Sequence, residues 1–326
     1  MDKRKRLVSG AALSFPEMEC RVESLAGCGS QVMAYLGSYA DPLWPQIRRR
    51  VLIQELFPYH PQNQVYRDEA GDICWETEAK ELMEVHLREF YRENQIGRGL
   101  ENVGSARAVF SLNHTLYSVL EFTGGRSLEE EMGRPGAANV SLAAHIRRIC
   151  GVLDSLESFH KLGLLHLDIN PDTILLLGEG EKEQVVLAAF NGVHTKQEME
   201  RGEFLYRRGR ECYTAPEVRL GDVENIGYAS DLYAVSSVFY QCLTGKKLSV
   251  LQMLQNRAPE VSEARSLDDM PGAARVMTRK ILKRGLSCLA HKRYPCTGAM
   301  RRDLEELKAL TGGIHDFDGL GKVYGR

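Results

Sequence analysis

The pattern of apolar and polar positions changes near residue 124. Before that point the chain holds short stretches of β-branched, aromatic and alternating residues, which predict β-strands. Gly, Pro and Asn residues separate the stretches and predict turns. The predicted strands are CRVESLAG, QVMAYLGSY, RRRVLIQELF, SARAVFSLN and HTLYSVLEF. The first part of the chain is therefore predicted to be β-rich.

One helix is predicted within this part, in ETEAKELMEVHLREFYRENQIGRGL, where Leu82, Val85, Phe90 and Ile96 recur at roughly helical spacing. After residue 124 the pattern is mainly helical. The helical segments are SLEEEM, SLAAHIRRICGVLDSLESFHKLG, SDLYAVSSVFYQCLTG, AARVMTRKILKRGLSCLA and GAMRRDLEELKAL. We predict an α+β fold with a small β-rich lobe, containing one helix, and a larger helical lobe.

Composition and charge narrow the class of protein. The 326 residues are 43% hydrophobic and 26% charged, as in ordinary globular proteins. A net charge of -2 creates no field that would attract nucleic acid, and the basic run from Lys3 to Arg6 is expected to be a solvated tail. No targeting signal or membrane-length apolar stretch is found, and the eight Cys residues lack metal-ligand spacing. We expect a soluble cytoplasmic protein with no nucleic acid, membrane or metal bound.

Candidate chemistry is concentrated in LLHLDINPDTILLL, residues 164–177, which lies between a predicted helix and a predicted pair of short strands. Its segment from His166 to Thr173 resembles the catalytic loop H-R-D-L-K-P-x-N of eukaryotic-like Ser/Thr protein kinases. Other kinase-like motifs occur in the family's order. They are VLIQELFP, typical of bacterial members, the hinge-like YSVLEFTGGRSLEEEM with Glu121, CYTAPEV, YASDLYAVSSVFYQCLTG and LAHKRYPCTGAM.

The resemblance implies a two-lobed kinase-like fold over nearly the whole chain. The expected divisions are an N-terminal tail 1–17, a kinase-like domain 18–312 with lobes 18–123 and 124–312, and a C-terminal tail 313–326. It further implies that Asp231 braces the loop and that Arg293 forms a buried salt bridge with Glu217.

The family's phosphate-binding side chains are altered in this chain. Kinases use a strand Lys on the phosphates and a helix Glu that holds this Lys. Gln54 occupies the Lys position, and a neutral amide cannot neutralise a triphosphate. The matching Glu is expected to be Glu93, with Glu89 as an alternative register. No Lys between Arg21 and Arg50 could substitute for the missing one.

The two Mg²⁺-binding positions of the family are altered as well. Ala189 stands where the Asp of the D-F-G motif is expected, and moving the register by one residue brings no carboxylate into place. Thr173 replaces the loop Asn and is a poor Mg²⁺ ligand. Asn170 replaces the loop Lys. Only Asp168, at the position of the catalytic base, keeps its residue type.

The expected nucleotide site is also changed on the adenine side. Gly27 and Gly29 are present, but Val32 stands where a third Gly would let the backbone approach phosphate. Leu52 is predicted to lie on the same strand face as Gln54, at a position where the family normally has a smaller Ala beside adenine. The added carbons would fill part of the adenine pocket.

These changes favour a pseudokinase, a kinase-fold module that binds a partner protein without normal phosphate transfer, and for which no cofactor is expected. Asp168 would then occupy a vestigial base position. The partner's surface could be the groove between the lobes, the face of the helical lobe, or residues 193–212 with Arg201, Arg207, Arg208 and Arg210. The alternative is a weak or atypical Ser/Thr kinase that binds ATP and Mg²⁺. A small-ligand sensor is a third hypothesis.

Overall fold

A computed structural model describes residues 4–96, 100, 106–121, 124–189, 192–201, 210–249 and 270–312. Contacts divide them into two compact units, and the division falls between Gly125 and Arg126. The predicted C-terminal tail, the Phe-Asn pair of the D-F-G position, and Arg207 and Arg208 lie outside the described residues. No helix in the described ranges is long and apolar enough to cross a membrane.

The first unit is an antiparallel sheet with one long helix. Its elements are β1 (Ala12–Phe15), β2 (Met18–Cys28), β3 (Val32–Ala40), β4 (Arg48–Leu56), β5 (Val65–Arg67), β6 (Ile73–Trp75), α1 (Lys80–Ile96), β7 (Ala106–Leu112) and β8 (Thr115–Glu121). Six strands form one sheet in the order β1-β2-β3-β4-β8-β7, and β5 pairs with β6 in a separate hairpin. The predicted β-rich lobe with one helix is confirmed.

Two expectations for this unit are wrong in detail. Residues 12–15, expected in a tail, form β1, which pairs with β2 and buries Leu13 and Phe15. On α1, Leu82 is predicted to lie on the apolar face but is exposed, and the neighbouring Met83 is buried instead. Both errors have the same cause. Packing against the rest of the core determines whether a short segment pairs as a strand and which face of a helix is buried, and the local sequence pattern carries no information about that packing.

The core of this unit encloses a buried ion pair. Arg67 Nη2 lies 2.6 Å from Glu55 Oε2, and both side chains are buried. The hydroxyls of Tyr35 and Tyr117 also donate to the Glu55 carboxylate. Glu55 therefore has the several donors that a buried charge requires. The tyrosines form part of the surrounding apolar cluster, where Phe15 stacks on Phe110 with ring centres 4.4 Å apart.

The second unit is mainly helical. Its elements are β9 (Arg126–Ser127), α2 (Leu128–Met132), α3 (Leu142–Lys161), β10 (Leu164–Leu165), β11 (Ile174–Leu177), β12 (Gln184–Leu187), β13 (His194–Thr195), α4 (Lys196–Glu200), α5 (Pro216–Leu220), α6 (Tyr228–Thr244), α7 (Gly272–Gly285) and α8 (Thr297–Gly312). Small sheets join β12-β11-β9 and β10-β13. Helix α6 is buried on nearly every side, as its apolar sequence predicts, and packs against α3 and α7.

An ion network holds the β11–β12 hairpin against the helices of the second unit. Arg148 of α3 makes bonds of 2.7 and 2.9 Å to Glu183 and one of 2.9 Å to Glu131. Arg126 bonds to the same two carboxylates, at 2.6 Å to Glu131 and 3.2 Å to Glu183. The β11–β12 hairpin, which follows residues 166–173 (the candidate loop), is thereby fixed to α2 and α3.

Candidate functional site

Strand β4 carries Leu52 and Gln54 on its less buried face. Val51 and Ile53 point into the core, whereas Leu52 and Gln54 are half-buried, so the predicted alternation is confirmed. The Ser118 hydroxyl of β8 donates to Gln54 Oε1 at 2.9 Å. The Gln54 amide, at the position predicted to match the family's Lys, is thus hydrogen-bonded to the neighbouring strand.

The two candidate glutamates of α1 differ in burial. Glu93 is nearly fully buried, and burial raises its pKa to about 8, although the nearby Arg92 charge lowers it slightly. Glu89 lies on the same helix with its carboxylate 3.9 Å from His86. With a pKa near 8, the Glu93 carboxyl is mostly protonated at neutral pH and offers little charge to a cation.

Gly27 and Gly29 lie in the hairpin that joins β2 to β3, which we call the glycine hairpin (residues 27–32). Gly27 pairs with Ala34, and the Gly29 amide donates to the Val32 carbonyl at 2.9 Å. Neither glycine has a positive φ, and a Cβ built on Gly27 would meet nothing within 4 Å. The fold of this unit therefore does not itself require glycine at position 27.

Glu121, the hinge candidate, ends β8 with an exposed side chain. Its carboxylate lies 3.2 Å from Arg107 Nη1, and both side chains are substantially exposed. Its backbone pairs with Val51 of β4.

The candidate loop of the second unit is braced by Asp231, which lies buried in the first turn of α6. Asp231 accepts hydrogen bonds from the backbone amides of His166 (3.0 Å) and Leu167 (2.8 Å) and contacts His160 Nε2 at 2.9 Å. Leu167 has φ +57°, a conformation that costs a non-Gly residue free energy. The bonds to Asp231 hold that strained residue in place, so the predicted brace is confirmed.

His166 is fully buried within this loop. Burial lowers its pKa, despite the opposing charge of Asp231, so the ring is held neutral. Its ring meets Phe159 edge-on at 5.5 Å. These contacts fit a packing role.

Asn170 and Thr173 turn their side chains onto the loop itself. Asn170 Nδ2 donates to the Asp168 carbonyl at 2.9 Å and to its carboxylate at 3.1 Å. The Thr173 hydroxyl lies 3.1 Å from the Asp168 carbonyl and 2.9 Å from the Asn170 carbonyl. Both residues are buried. The side chains predicted to stand at the family's phosphate- and metal-binding loop positions therefore stabilise the loop's own backbone.

Asp168 is half-buried beside this network. Burial raises its pKa to about 6, while the Arg210 charge and the Asn170 hydrogen bond oppose the rise. A small cavity adjoins it, with room for about one water molecule. Its lining combines the candidate loop with parts of α5, α6 and the segment before α5: Leu167, Asp168, Ile169, Tyr213, Thr214, Ala215, Val218, Ser230 and Ala234.

Arg210 forms an ion pair with Asp172 of the candidate loop. Of the four arginines proposed for partner binding, Arg210 is thus engaged within the unit, and Arg201 is exposed at the end of α4. This pairing was not predicted from the sequence, because the two residues are 38 positions apart and Asp172 stands at the unspecified position of the catalytic-loop motif.

The position expected for the D-F-G Asp is occupied by an exposed Ala189 with φ +62°. Just beyond it, Gly192 lies against the candidate loop, where an added Cβ would come within 2.6 Å of the His166 carbonyl oxygen. Only glycine fits such a close approach. Gly192 was not predicted as a site residue, although a glycine after a strand was a possible signal.

The predicted pair of Glu217 and Arg293 is confirmed. Arg293 donates from Nη1 to Oε1 at 2.6 Å and from Nη2 to Oε2 at 2.8 Å, with both residues buried. The Ser230 hydroxyl donates to the same carboxylate at 2.6 Å, and Arg293 Nε donates to the Ser287 carbonyl at 2.7 Å. A bidentate pair with these added bonds is fully satisfied.

The chain combines a β-rich unit with one long helix and a helical unit that follows it. In the helical unit, a buried helix Asp braces a His-x-Asp loop. These features are those of the protein kinase class of fold. The family model for the protein kinase domain matches residues 74–293, two thirds of the chain. The chain belongs to this family, in the eukaryotic-like Ser/Thr superfamily that the motifs indicated.

The curated relatives include Ser/Thr kinases of low identity. A probable myosin light chain kinase of Dictyostelium discoideum is 27% identical over 55% of this chain and 45% of its own length. Pkn1 of Myxococcus xanthus is 30% identical over 45% of this chain and 21% of its own length. The probable PknB of Bifidobacterium longum is 24% identical over 61% of this chain and 28% of its own length. The chain thus spans less than half the length of each of these relatives.

Solved structures share the fold. The PpkA-294 apo form has a TM-score of 0.68 at 18% identity and covers 92% of this chain and 99% of its own. The kinase domain of Mycobacterium tuberculosis PknI has a TM-score of 0.61 at 18% identity and covers 93% of this chain and 100% of its own. At such identity the likeness shows the fold alone.

Proposed function

We propose that this chain is a pseudokinase, a kinase-fold module that binds a partner protein and does not carry out normal phosphate transfer. The observation that carries the proposal is the arrangement of Asn170 and Thr173. Both side chains are buried and hydrogen-bonded to the loop backbone, at the positions where the family binds phosphate and Mg²⁺.

The donor set supports the same proposal, because it does not fit Mg²⁺-bound ATP. Gln54 is a neutral amide, Thr173 offers a hydroxyl already engaged by two carbonyls, and Ala189 has no ligand atom. Within the described ranges, no three His, Cys, Asp or Glu side chains are grouped so that they could hold a metal ion. Mg²⁺ prefers carboxylate oxygens and charged phosphates, and each of these three positions carries a neutral side chain.

The alternative, a weak Ser/Thr kinase, is favoured by one observation. A pKa of about 6 brings Asp168 closer to neutral pH than an ordinary Asp, which suits a general base. A base, however, contributes only when the phosphate donor is bound and its charge is neutralised. We therefore rank this function second.

A thermal-shift assay with ATP, alone and with Mg²⁺ or Mn²⁺, tests the proposal. A ligand at 100 times its Kd adds about 2.7 kcal/mol to the free energy of unfolding. We expect no metal-dependent rise in melting temperature at millimolar ATP. A clear Mg²⁺-dependent rise would favour the alternative instead.

A phosphate-transfer assay from labelled ATP completes this test, with Asp168→Ala as the loop variant. Asp154→Ala is the matched control, because Asp154 is a surface residue of α3 in the same unit. Transfer that is abolished by the first variant and retained by the second would refute the pseudokinase proposal.

The partner is proposed to be a protein with an acidic surface, held by the arginines between residues 193 and 212. Arg201 is exposed, and Arg207 and Arg208 provide two further charges in the sequence. Charge reversal at Arg207 and Arg208 should weaken binding of such a partner, whereas reversal at Arg302, an exposed residue of α8, should not. Unchanged binding in both variants would exclude this surface.

A further inference from the structure

The main chain of the basic segment Arg4–Leu7 is bound along the first unit, and the Arg4 side chain is half-buried there, whereas the Lys5 and Arg6 side chains are exposed, as expected of a solvated run. Arg67 Nε donates to the Lys5 carbonyl at 2.9 Å, and the Leu7 amide donates to the Tyr35 hydroxyl at 3.2 Å. Arg67 and Tyr35 are both bonded to the buried Glu55. The main chain of the segment is therefore anchored to the core network of the unit.

The Arg4 side chain reaches from this anchored segment to the tip of the glycine hairpin. Its Nη2 donates to the Gly29 carbonyl at 2.7 Å and lies 3.1 Å from Cys28 Sγ. Its Nη1 donates to the Phe57 carbonyl. The guanidinium carbon lies 5.8 Å from the ring centre of Phe57 and 5.9 Å from that of Tyr59. A planar guanidinium suits this site, because it can bond to separate carbonyls while lying near aromatic rings.

Three successive carbonyls of the glycine hairpin are held by the rest of the unit. Arg4 holds that of Gly29, the Tyr59 amide donates to Ser30 at 2.7 Å, and the Phe57 amide donates to Gln31 at 2.9 Å. Two of these bonds continue the pairing beyond β4, and the third depends on the N-terminal segment. A glycine-containing hairpin gains order mainly from such outside contacts, because glycine has the greatest backbone freedom.

We propose that Arg4–Leu7 is an N-terminal clasp that restrains the glycine hairpin, with Arg4 as its closing contact. Anchoring of Lys5 and Leu7 to the core positions the Arg4 side chain, and Arg4 then joins the hairpin tip to the chain that follows β4. The mobility of the hairpin is thereby set by the N-terminal segment. This device lies within the first unit and does not depend on whether the chain transfers phosphate.

Hydrogen exchange followed by mass spectrometry on the full chain tests the clasp, with wild type, Arg4→Ala, Arg4→Lys and Arg6→Ala compared. Arg6→Ala is the matched control, because Arg6 carries the same charge in the same segment and its side chain is exposed. Arg4→Ala should speed exchange about tenfold or more in peptides covering residues 28–32 and 57–59, as expected for loss of a charge-assisted hydrogen bond. Peptides from α3 in the second unit should be unchanged.

Arg4→Lys should give an intermediate rate, because an ammonium keeps the charge but lacks the planar fork. Arg6→Ala should match wild type. Wild-type exchange in Arg4→Ala would overturn the clasp. Equal acceleration in Arg4→Ala and Arg6→Ala would also overturn it, because the effect would then come from the charge of the segment and not from the contact.

Discussion

Asn170 and Thr173 show how side chains at a family's reactive positions can serve the backbone instead. Both are short polar residues, and such residues readily hydrogen-bond to main-chain groups a few positions away. Here they bond to the carbonyl of Asp168 and so preserve the turn that presents it. The shape of the loop is thus maintained by two neutral side chains.

Glu93 makes stability depend on pH in a direction unusual for a carboxyl group. Its pKa rises from 4.5 to about 8 on folding, because burial disfavours the charged form. The unfolded chain therefore loses this proton first, and the free energy of unfolding falls as pH rises from about 4.5 to about 8. The loss is about 1.4 kcal/mol for each pH unit within that window.

Glu93→Gln should remove this pH dependence while keeping the shape of the side chain. Urea unfolding at pH 5 and pH 8 would measure it, with Glu84→Gln as a control at an exposed position of the same helix. The control should keep the wild-type difference between the two pH values. A Glu93→Gln difference equal to wild type would contradict the assignment.

Arg293→Ala should be strongly destabilising, because it leaves the buried Glu217 carboxylate without its main partner. A loss of about 3 to 5 kcal/mol in the free energy of unfolding is expected. Lys161→Ala breaks an exposed ion pair with Glu157 on α3 of the same unit and should cost less than about 1 kcal/mol. Chemical denaturation measures the free energy of unfolding of both variants. Similar losses in the two variants would contradict the larger contribution predicted for the buried pair.

Among the elements of the second unit, α6 and α7 pack unusually closely at one point. A Cβ built on Gly285 would lie 2.6 Å from Ser236 Cβ, nearer than real atoms approach. The Ser236 hydroxyl is itself bonded to the Leu232 carbonyl at 2.7 Å, so rotation of this side chain would sacrifice a hydrogen bond. The packing of the two helices therefore depends on glycine at this position.

Gly285→Ala should lower the free energy of unfolding by about 1 to 3 kcal/mol through overpacking. Gly298→Ala provides the opposite case, because a Cβ there would meet nothing within 4 Å and Ala favours helix α8. That variant should be neutral or stabilised by up to about 1 kcal/mol. Thermal and urea unfolding can test the opposite signs, and a stable Gly285→Ala would show that the helices can separate at little cost.

At the scale of the whole molecule, the positions predicted to depart from the family's pattern are spread over both units. Gln54 belongs to the first unit, and Thr173 and Ala189 belong to the second. Phosphoryl transfer requires such groups together, and their effects are strongly non-additive. The architecture, by contrast, is that of the family in both units.

Repair of one unit alone should therefore fail. We expect neither Gln54→Lys nor Ala189→Asp to acquire a Mg²⁺-dependent thermal shift with ATP. The two changes combined should also fail while Leu52 remains, because the larger side chain was predicted to take space from adenine.

Leu52→Ala alone should permit at most weak, metal-independent adenosine binding. Calorimetry that detected tight Mg²⁺-dependent ATP binding by the unmodified chain would contradict the steric part of this prediction.

The sequence alone was sufficient for the fold class and the order of the main elements, whereas the match of Gln54, Thr173 and Ala189 to the family's positions stays a prediction. The alternation in RRRVLIQELF predicts a strand that buries one face, and the apolar run in SDLYAVSSVFYQCLTG predicts a buried helix. Both predictions rest on residues within the element itself, so they hold in the folded structure. The chemical types at Gln54, Thr173 and Ala189 can likewise be recognised without coordinates, since a missing charge is a property of the residue.

Tertiary structure alone decided what those residues and their neighbours contact. The burial of Met83 in place of Leu82, the strand at Ala12–Phe15 and the anchoring of Arg4 all depend on partners distant in the sequence. The same is true of the Arg210 pair with Asp172. Local periodicity carries no information about such pairings, because the free energy that selects them comes from packing, burial and charge between segments that meet only after folding.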